Sequence, residues 1–201
     1  MTSHQPGSSE RRAQLLDAAV TLIATRGYDA VRLRDVGETC GVTTGMIQYY
    51  FTSRDALLAA AFESAVEREI ASWRKIADEH SAPWPRICAL IGLVENELQS
   101  IEACVFWNEF RVCTARYPQL RSLMNQMQRE WRALIADALY FGINSGDFSP
   151  RIDVEDLIDS LVAMIDGVEV AIGSMADSVS PRQGAELILR VATHLINPQS
   201  Q

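Results

Sequence analysis

The chain has 201 residues, 48% hydrophobic, 22% charged and 7% aromatic, with mean hydropathy near zero, the profile of an ordinary globular chain. Eighteen basic and 26 acidic side chains leave a net charge of −8 and a pI near 4.9, a balance that by itself argues against a nucleic-acid partner. Seven prolines, eleven glycines and four cysteines exclude collagen-like, disordered and disulfide-scaffold classes; no apolar run approaches the roughly 20 residues of a bilayer span, and the polar start MTSHQPGSSERR is not a secretory signal.

The apolar spacing is helical nearly throughout. Leu15, Ala19, Leu22 and Leu16, Val20, Ile23 form one stripe, closed by Gly27. Short helical segments are expected over about Leu33–Cys40, stopped by Gly41, and from Thr44 to about Phe51. Ser53 can cap a long helix whose stripe passes through Leu57, Leu58, Ala61, Phe62, Ala65, Ile70 and Trp73. A break over His80–Pro85 precedes a stripe through Ile87, Leu90, Ile91, Val94 and Leu98. The pattern continues through Ala103, Phe106, Trp107, Phe110, Cys113 and Tyr117, then from Leu120 through Leu123, Met124, Met127, Trp131 and Leu134 to Ala138. A loop over Gly142–Pro150 separates these from a helix on Val154, Leu157, Leu161, Ile165, Val168 and Ile172. The last helix starts in Ser178–Pro181 and carries Ala185, Ile188, Leu189, Ala192 and Leu195. No stretch alternates as a half-buried strand, so the chain reads as all-α with about nine helices.

Leu33–Phe51, LRDVGETCGVTTGMIQYYF, has the dimensions of a helix-turn-helix. Gly41 suits a left-handed turn position; Val36, Cys40, Val42 and Ile47 supply a small apolar core; Gly37 and Gly45 permit close approach, of helix to helix and of backbone to DNA. Thr43 and Thr44 can cap the second helix and offer hydroxyls to phosphate, and Gln48 is a residue type that pairs bidentately with adenine. Plain core aromatics at Tyr49, Tyr50 and Phe51 are the alternative. Charge is divided along the chain: residues 1–55 hold six bases and six acids, leaving twelve bases and twenty acids beyond. The acidity therefore belongs to the larger part and says nothing of the smaller.

Residues 10–62 resemble the DNA-binding domain of the TetR family of bacterial transcriptional regulators, through a helix ending Arg-Gly-Tyr, the Gly-Val-Thr turn, an aromatic-Phe pair, an Arg and a Leu-Leu. GVTTGMIQYYF and the later Ala163-Met-Ile-Asp-Gly-Val168 are more similar to the BetI-like branch than to the tetracycline repressor. The resemblance implies a three-helix DNA-binding domain over 1–52 and a regulatory domain over 53–201 for ligand binding and dimerisation. It places Thr43, Thr44, Gly45, Gln48 and Tyr49 in the major groove, Tyr50, Thr52, Ser53 and Arg54 on phosphates, and Arg32 and Arg34 on the backbone. Arg32, Gly37, Gln48 and Arg54 depart from common family residues, which bears on the operator sequence. It further implies a palindromic double-stranded operator, a homodimer, and a repressor of the bacterial cytoplasm and nucleoid, with no cofactor.

Ser160, Ala163, Gly167, Ala171 and Ser174 align into a small-residue face suited to an intersubunit helix bundle, or to close packing within one subunit. Phe106, Trp107, Phe110, Met127 and Trp131 form an aromatic and Met lining that serves either plain core or an effector pocket. Glu102, Glu109, Asp166 and Glu169 lie on or beside apolar stripes, a lean toward a cationic effector, unless they are solvated or pair with Arg111, Arg116 or Arg132. His4, His80 and His194 lack metal spacing, and no nucleophile elbow or phosphate cradle is present, so an enzyme is not expected. A thiol-based redox sensor using Cys40 or the Cys104/Cys113 pair is the alternative regulator, and a helical interaction module without DNA binding is a third reading.

Overall fold

A computed structural model describes residues 7–96, 101–174 and 179–199; Leu98, Ser178 and the side chain of Glu102 lie outside the described residues. Nine α-helices are present among these residues: α1 (Ser8–Arg26), α2 (Leu33–Cys40), α3 (Thr44–Tyr50), α4 (Arg54–Glu79), α5 (Pro83–Asn96), α6 (Ile101–Arg116), α7 (Arg121–Ser145), α8 (Val154–Gly173) and α9 (Pro181–Ile196). No strand occurs among the described residues; one antiparallel bridge pairs Phe148 with Pro198. The helix α5 starts four residues ahead of its apolar stripe, because Pro83 lacks the N–H that a first turn leaves unpaired anyway. The chain forms two compact units, Met1–Glu67 with Val105–Leu123 and Arg68–Cys104 with Met124–Gln201. This division differs from a cut at 52/53: the first turns of α4 and most of α6 belong to the same unit as α1–α3.

In the first unit, Leu15, Leu16, Ala19, Leu22 and Ile23 of α1 are buried together with Val36, Ile47, Leu57, Leu58, Phe62 and Phe110. The turn between α2 and α3 depends on two glycines. Gly41 adopts φ +64°, and a Cβ at Gly37 would stand 2.8 Å from the Val42 carbonyl oxygen, so only glycine lets the two helices approach this closely. The Thr43 hydroxyl accepts the Met46 N–H at 3.3 Å and the Ser53 hydroxyl accepts the Ala56 N–H at 3.0 Å, starting α3 and α4.

In the second unit, α5 packs against α8 and α9, and α8 against α9. Gly184 is the close-contact residue between α8 and α9, since a Cβ there would lie 2.3 Å from Val168 Cγ1. Asp153 caps α8 by accepting the Glu155 N–H at 2.9 Å, and Ser180 caps α9 in a reciprocal box with Gln183. Arg132 of α7 pairs with Glu155 at 2.7 Å and Asp159 at 3.1 Å on α8. No helix among the described residues is long and apolar enough to cross a membrane.

Candidate nucleic-acid interface and the joint behind it

Short as it is, α3 divides sharply into two faces. Ile47 is fully buried, while Thr43, Thr44, Gly45, Met46, Gln48 and Tyr49 are exposed, Tyr49 at 81%. An exposed tyrosine of that degree on a seven-residue helix has no packing explanation within the described residues. Tyr50 is half-buried and meets Tyr49 edge-on at 5.1 Å, and the Arg12 guanidinium lies 5.3 Å from the ring of buried Phe51. A Cβ at Gly45 would meet nothing closer than Thr43 Oγ1 at 3.8 Å, so its outer side is open. Thr52 and Ser53 are exposed. Arg32 and Arg34 are also exposed at the start of α2, where Asp35 accepts the Arg32 N–H at 2.7 Å and pairs with Arg26 at 3.2 Å.

Arg54 behaves differently from the other sequence-predicted contacts. Its guanidinium turns inward: Nε donates to the Val31 carbonyl at 2.6 Å, Nη2 donates to the Tyr28 carbonyl, and Nη1 pairs with Asp55 at 2.7 Å. The same group stands 4.9 Å over the Tyr28 ring. These bonds tie the first turn of α4 to the single 3₁₀ turn Tyr28–Ala30 that joins α1 to α2.

The other side of that turn is held by α6. Glu109 Oε1 accepts the Tyr28 N–H at 2.8 Å, Tyr117 donates to Asp29 Oδ1 at 2.5 Å, and Arg116 pairs with Asp29 at 3.2 Å. Tyr28 itself is buried, its ring stacked on Phe62 at 5.8 Å and tilted against Tyr117 at 4.9 Å. Burial, reinforced by the Asp55 charge, pushes the Tyr28 hydroxyl up to about 12. The hydrogen bond to Asp29 raises the Tyr117 hydroxyl above its ordinary value. Glu109, one of the acids beside the aromatic stripe, is thereby committed to the main chain of this turn. From sequence, Tyr117 stands only on an apolar stripe, Tyr28 only in the Arg-Gly-Tyr wording, and Asp29 has no role; their partners here are 81 to 88 residues away, so no local pattern marks these bonds.

The aromatic set divides between the units. Phe106 and Phe110 are buried against Phe62, at 5.2 and 4.6 Å, and half-buried Trp107 meets both edge-on in the first unit. Met127 and Trp131 are buried in the second, Trp131 tilted 4.8 Å from Trp73, with Asp166 half-buried on α8. The Trp131 Nε1–H is buried without an acceptor among the described residues. On α8, Ala163, Gly167 and Ser174 are exposed and Ser160 and Ala171 half-buried; a Cβ at Gly167 would meet nothing within 4 Å.

None of the four cysteines forms a disulfide. Cys104 and Cys113 stand on one helix, nine residues and therefore about 13.5 Å of rise apart, beyond the roughly 7 Å that a disulfide tolerates. Burial, with Glu109 nearby, pushes the Cys113 thiol up to about 12, and burial also raises Cys40, which suppresses the thiolates that redox sensing requires. Among the described residues no group of His, Cys, Asp or Glu is arranged to hold a metal.

A helix-turn-helix whose second helix shows a polar, aromatic-tipped face, carried on an all-α chain, defines a DNA-binding regulator. The sequence matches the tetR family of bacterial regulatory proteins over residues 15–61 and the C-terminal domain of BetI-type transcriptional repressors over residues 89–197. The chain belongs to the TetR family, with a regulatory part of the BetI type. It is similar to the HTH-type transcriptional repressor KstR2 of Rhodococcus jostii (strain RHA1), 26% identical over 74% of this chain and 73% of that protein. The HTH-type transcriptional regulator BetI of Rhizobium meliloti is 28% identical over 80% of this chain and 76% of its own length. A protein from Saccharomonospora viridis, solved in complex with choline, superposes with a TM-score of 0.83 at 25% identity, covering 93% of this chain and 97% of that one. These relatives carry the names of transcriptional regulators.

Proposed function

We propose that the chain is a repressor that binds a palindromic operator as a homodimer and is released by a small-molecule effector. The observation that carries this reading is the outward face of α3, where Thr44, Gly45, Gln48 and Tyr49 are exposed over a fully buried Ile47. On this reading Thr43, Thr44, Gly45, Gln48 and Tyr49 read bases in the major groove, with Gln48 addressing adenine. Tyr50, Thr52, Ser53, Arg32 and Arg34 position the head on phosphates. Arg54 is assigned to the joint rather than to phosphate, because its guanidinium is spent on the Tyr28 and Val31 carbonyls. Functionally the DNA-reading part is residues 1–52 and the regulatory part 53–201, working in the bacterial cytoplasm on nucleoid DNA without catalysis or cofactor.

Dimerisation is assigned to the α8 face through Ala163 and Gly167, edged by Ser160, Ala171 and Ser174. Its openness at Gly167, and the exposure of Val170 (42%) and Leu187 (44%), support this surface. The effector is assigned to the second unit, against Met127 and Trp131, with an acceptor atom for the Trp131 N–H, which has none among the described residues, and Asp166 favouring a cationic head. Choline held by the Saccharomonospora viridis protein supports that lean. Because α4 and α6 each run from one unit into the other, they are the elements through which effector binding reaches the Tyr28 turn. By linkage the effector binds the DNA-incompetent state more tightly, with a coupling of about 1–3 kcal/mol. A gel shift with DNA from upstream of the protein's own gene tests the reading: a retarded, competable band at low salt is expected, and no band there overturns it.

A further inference from the structure

The outer side of α3 carries one residue that neither the base-reading nor the phosphate set includes. Met46 is 45% exposed. Of Thr43, Thr44, Gly45, Met46, Gln48 and Tyr49, the exposed residues of this segment, it alone has an unbranched apolar side chain. Its place is set by its neighbours. At about 3.6 residues per turn, the fully buried Ile47 turns Gly45 and Tyr49 outward and puts Met46 and Gln48 on the two flanks of the ridge they form. The Met46 N–H donates to the Thr43 hydroxyl at 3.3 Å and to the Thr43 carbonyl at 3.1 Å, which fixes the turn from which the side chain leaves. Gly45 beside it has no side chain to hold a surface away, and even an added Cβ there would meet nothing nearer than 3.8 Å.

The chemistry of that side chain selects what it can read. A thioether is a weak hydrogen-bond acceptor and no donor, so Met46 does not compete for the polar base edges that suit Gln48. Its exposed carbons stabilise a complex by leaving water against another apolar group. In the major groove the base edges are polar except at one place, the 5-methyl group of thymine. Met46 stands in the first turn of α3, the part of a recognition helix that meets base edges, and its three rotatable bonds let it settle on a group as small as a methyl. We infer that Met46 is a specificity-determining residue that packs on the 5-methyl group of a thymine in each operator half-site. The inference rests on the proposed reading of α3 as the recognition helix, and it adds an apolar base contact to the polar one from Gln48.

The test is competition binding of the full chain to its operator, mapped by footprinting upstream of its own gene. Deoxyuridine replaces each thymine in turn, symmetrically in both half-sites; it differs from thymidine only in lacking the 5-methyl group. One position is expected at which the exchange weakens the parent about fourfold per half-site, the effect of one methyl group no longer taken out of water, and so about 15-fold for both. Met46→Ala should match the parent in urea unfolding, as suits an exposed position. It is expected to bind the thymine operator correspondingly less well and to treat thymine and uracil at that position alike. Met46→Leu, an apolar side chain of similar volume, should restore the discrimination. Operator binding in which no thymine exchange matters, or a thymine-to-uracil ratio undiminished in Met46→Ala, overturns this inference and leaves the repressor reading standing. Absence of any competable operator binding overturns that reading, and the inference with it.

Discussion

Replacing Arg54 by Ala separates two roles that one arginine can play beside DNA. The side chain is 28% exposed and makes two charge-assisted hydrogen bonds to main-chain carbonyls, of Val31 and Tyr28, besides standing over the Tyr28 ring. Taking about 1.5 kcal/mol for each charged hydrogen bond, and treating the exposed Asp55 pair as negligible, the loss comes to about 3 kcal/mol. That is roughly 150-fold in the folding equilibrium and about 9 °C in melting temperature for a chain of this size. Urea unfolding followed by circular dichroism measures it directly. Arg54→Lys should recover less than half, because one ammonium cannot span both carbonyls as a planar fork does. A phosphate-binding role predicts the opposite pattern: unchanged stability, rescue by Lys, and a salt slope of operator binding shallower by about 0.9 for each phosphate no longer neutralised. Stability within about 0.5 kcal/mol of the parent, together with a shallower slope, would refute the inward assignment.

Four further outcomes follow from the same geometry. Glu109→Ala leaves the Tyr28 N–H without its acceptor and should cost about 1–2 kcal/mol in urea unfolding, whereas Glu109→Gln, which keeps an acceptor oxygen, should cost less than half of that; equal losses would show that the interaction matters only through charge. Gln48→Ala, at an exposed position, should leave stability within about 0.5 kcal/mol while reducing discrimination between the operator and a base-substituted operator in competition binding by about 1–3 kcal/mol. Gly167→Arg should leave the monomer folded, since nothing lies within 4 Å of its Cβ and helix propensity improves by about 1 kcal/mol, yet sedimentation should show loss of the dimer; an unchanged dimer moves the interface elsewhere. In an ultraviolet tyrosine titration, Tyr28 should ionise last, near pH 12. Because its folded-state value is raised, the stability it lends is complete below the ordinary tyrosine value near 10 and is lost as pH rises through about 12, so a joint that loosens at lower pH contradicts the burial of that ring.

What the sequence reveals and what it hides divide along a physical line. Helix positions were legible because burial imposes a 3.6-residue period, and the turn between α2 and α3 because Gly37 and Gly41 answer local needs: a close carbonyl and a positive φ. The caps at Thr43 and Ser53 are equally local, each bonding an N–H three residues on. The bonds of Arg54, Glu109 and Asp29 are hidden from sequence for one shared reason. Their partners lie 23 to 88 residues away, and a charged side chain beside a motif looks the same from sequence whether it faces solvent or folds inward. The small-residue pattern shows the same limit. Gly167 and Gly184 look alike as helix glycines, but only Gly184 has a neighbour, Val168, that requires the missing Cβ.

The division of charge gains its meaning from this joint. Within the neutral head, Arg26 is paired with Asp35, Arg54 is bound to carbonyls, and the Arg12 guanidinium lies near Phe51. Arg32 and Arg34 are exposed at the start of α2, Arg34 within 3.9 Å of Asp35. With six acids set against its six bases, the head gains little from long-range attraction, and on the proposed reading its affinity rests on how accurately short contacts from Thr44, Gln48 and Tyr49 meet the groove. Such contacts tolerate small displacements poorly, since hydrogen bonds weaken steeply with misalignment. On the proposed reading the regulator therefore needs no large movement to be switched. On the proposed reading, the Tyr28 turn, held by Arg54 and by Glu109 and Tyr117, is where a small shift of α4 or α6 would change the pose of α2 and α3.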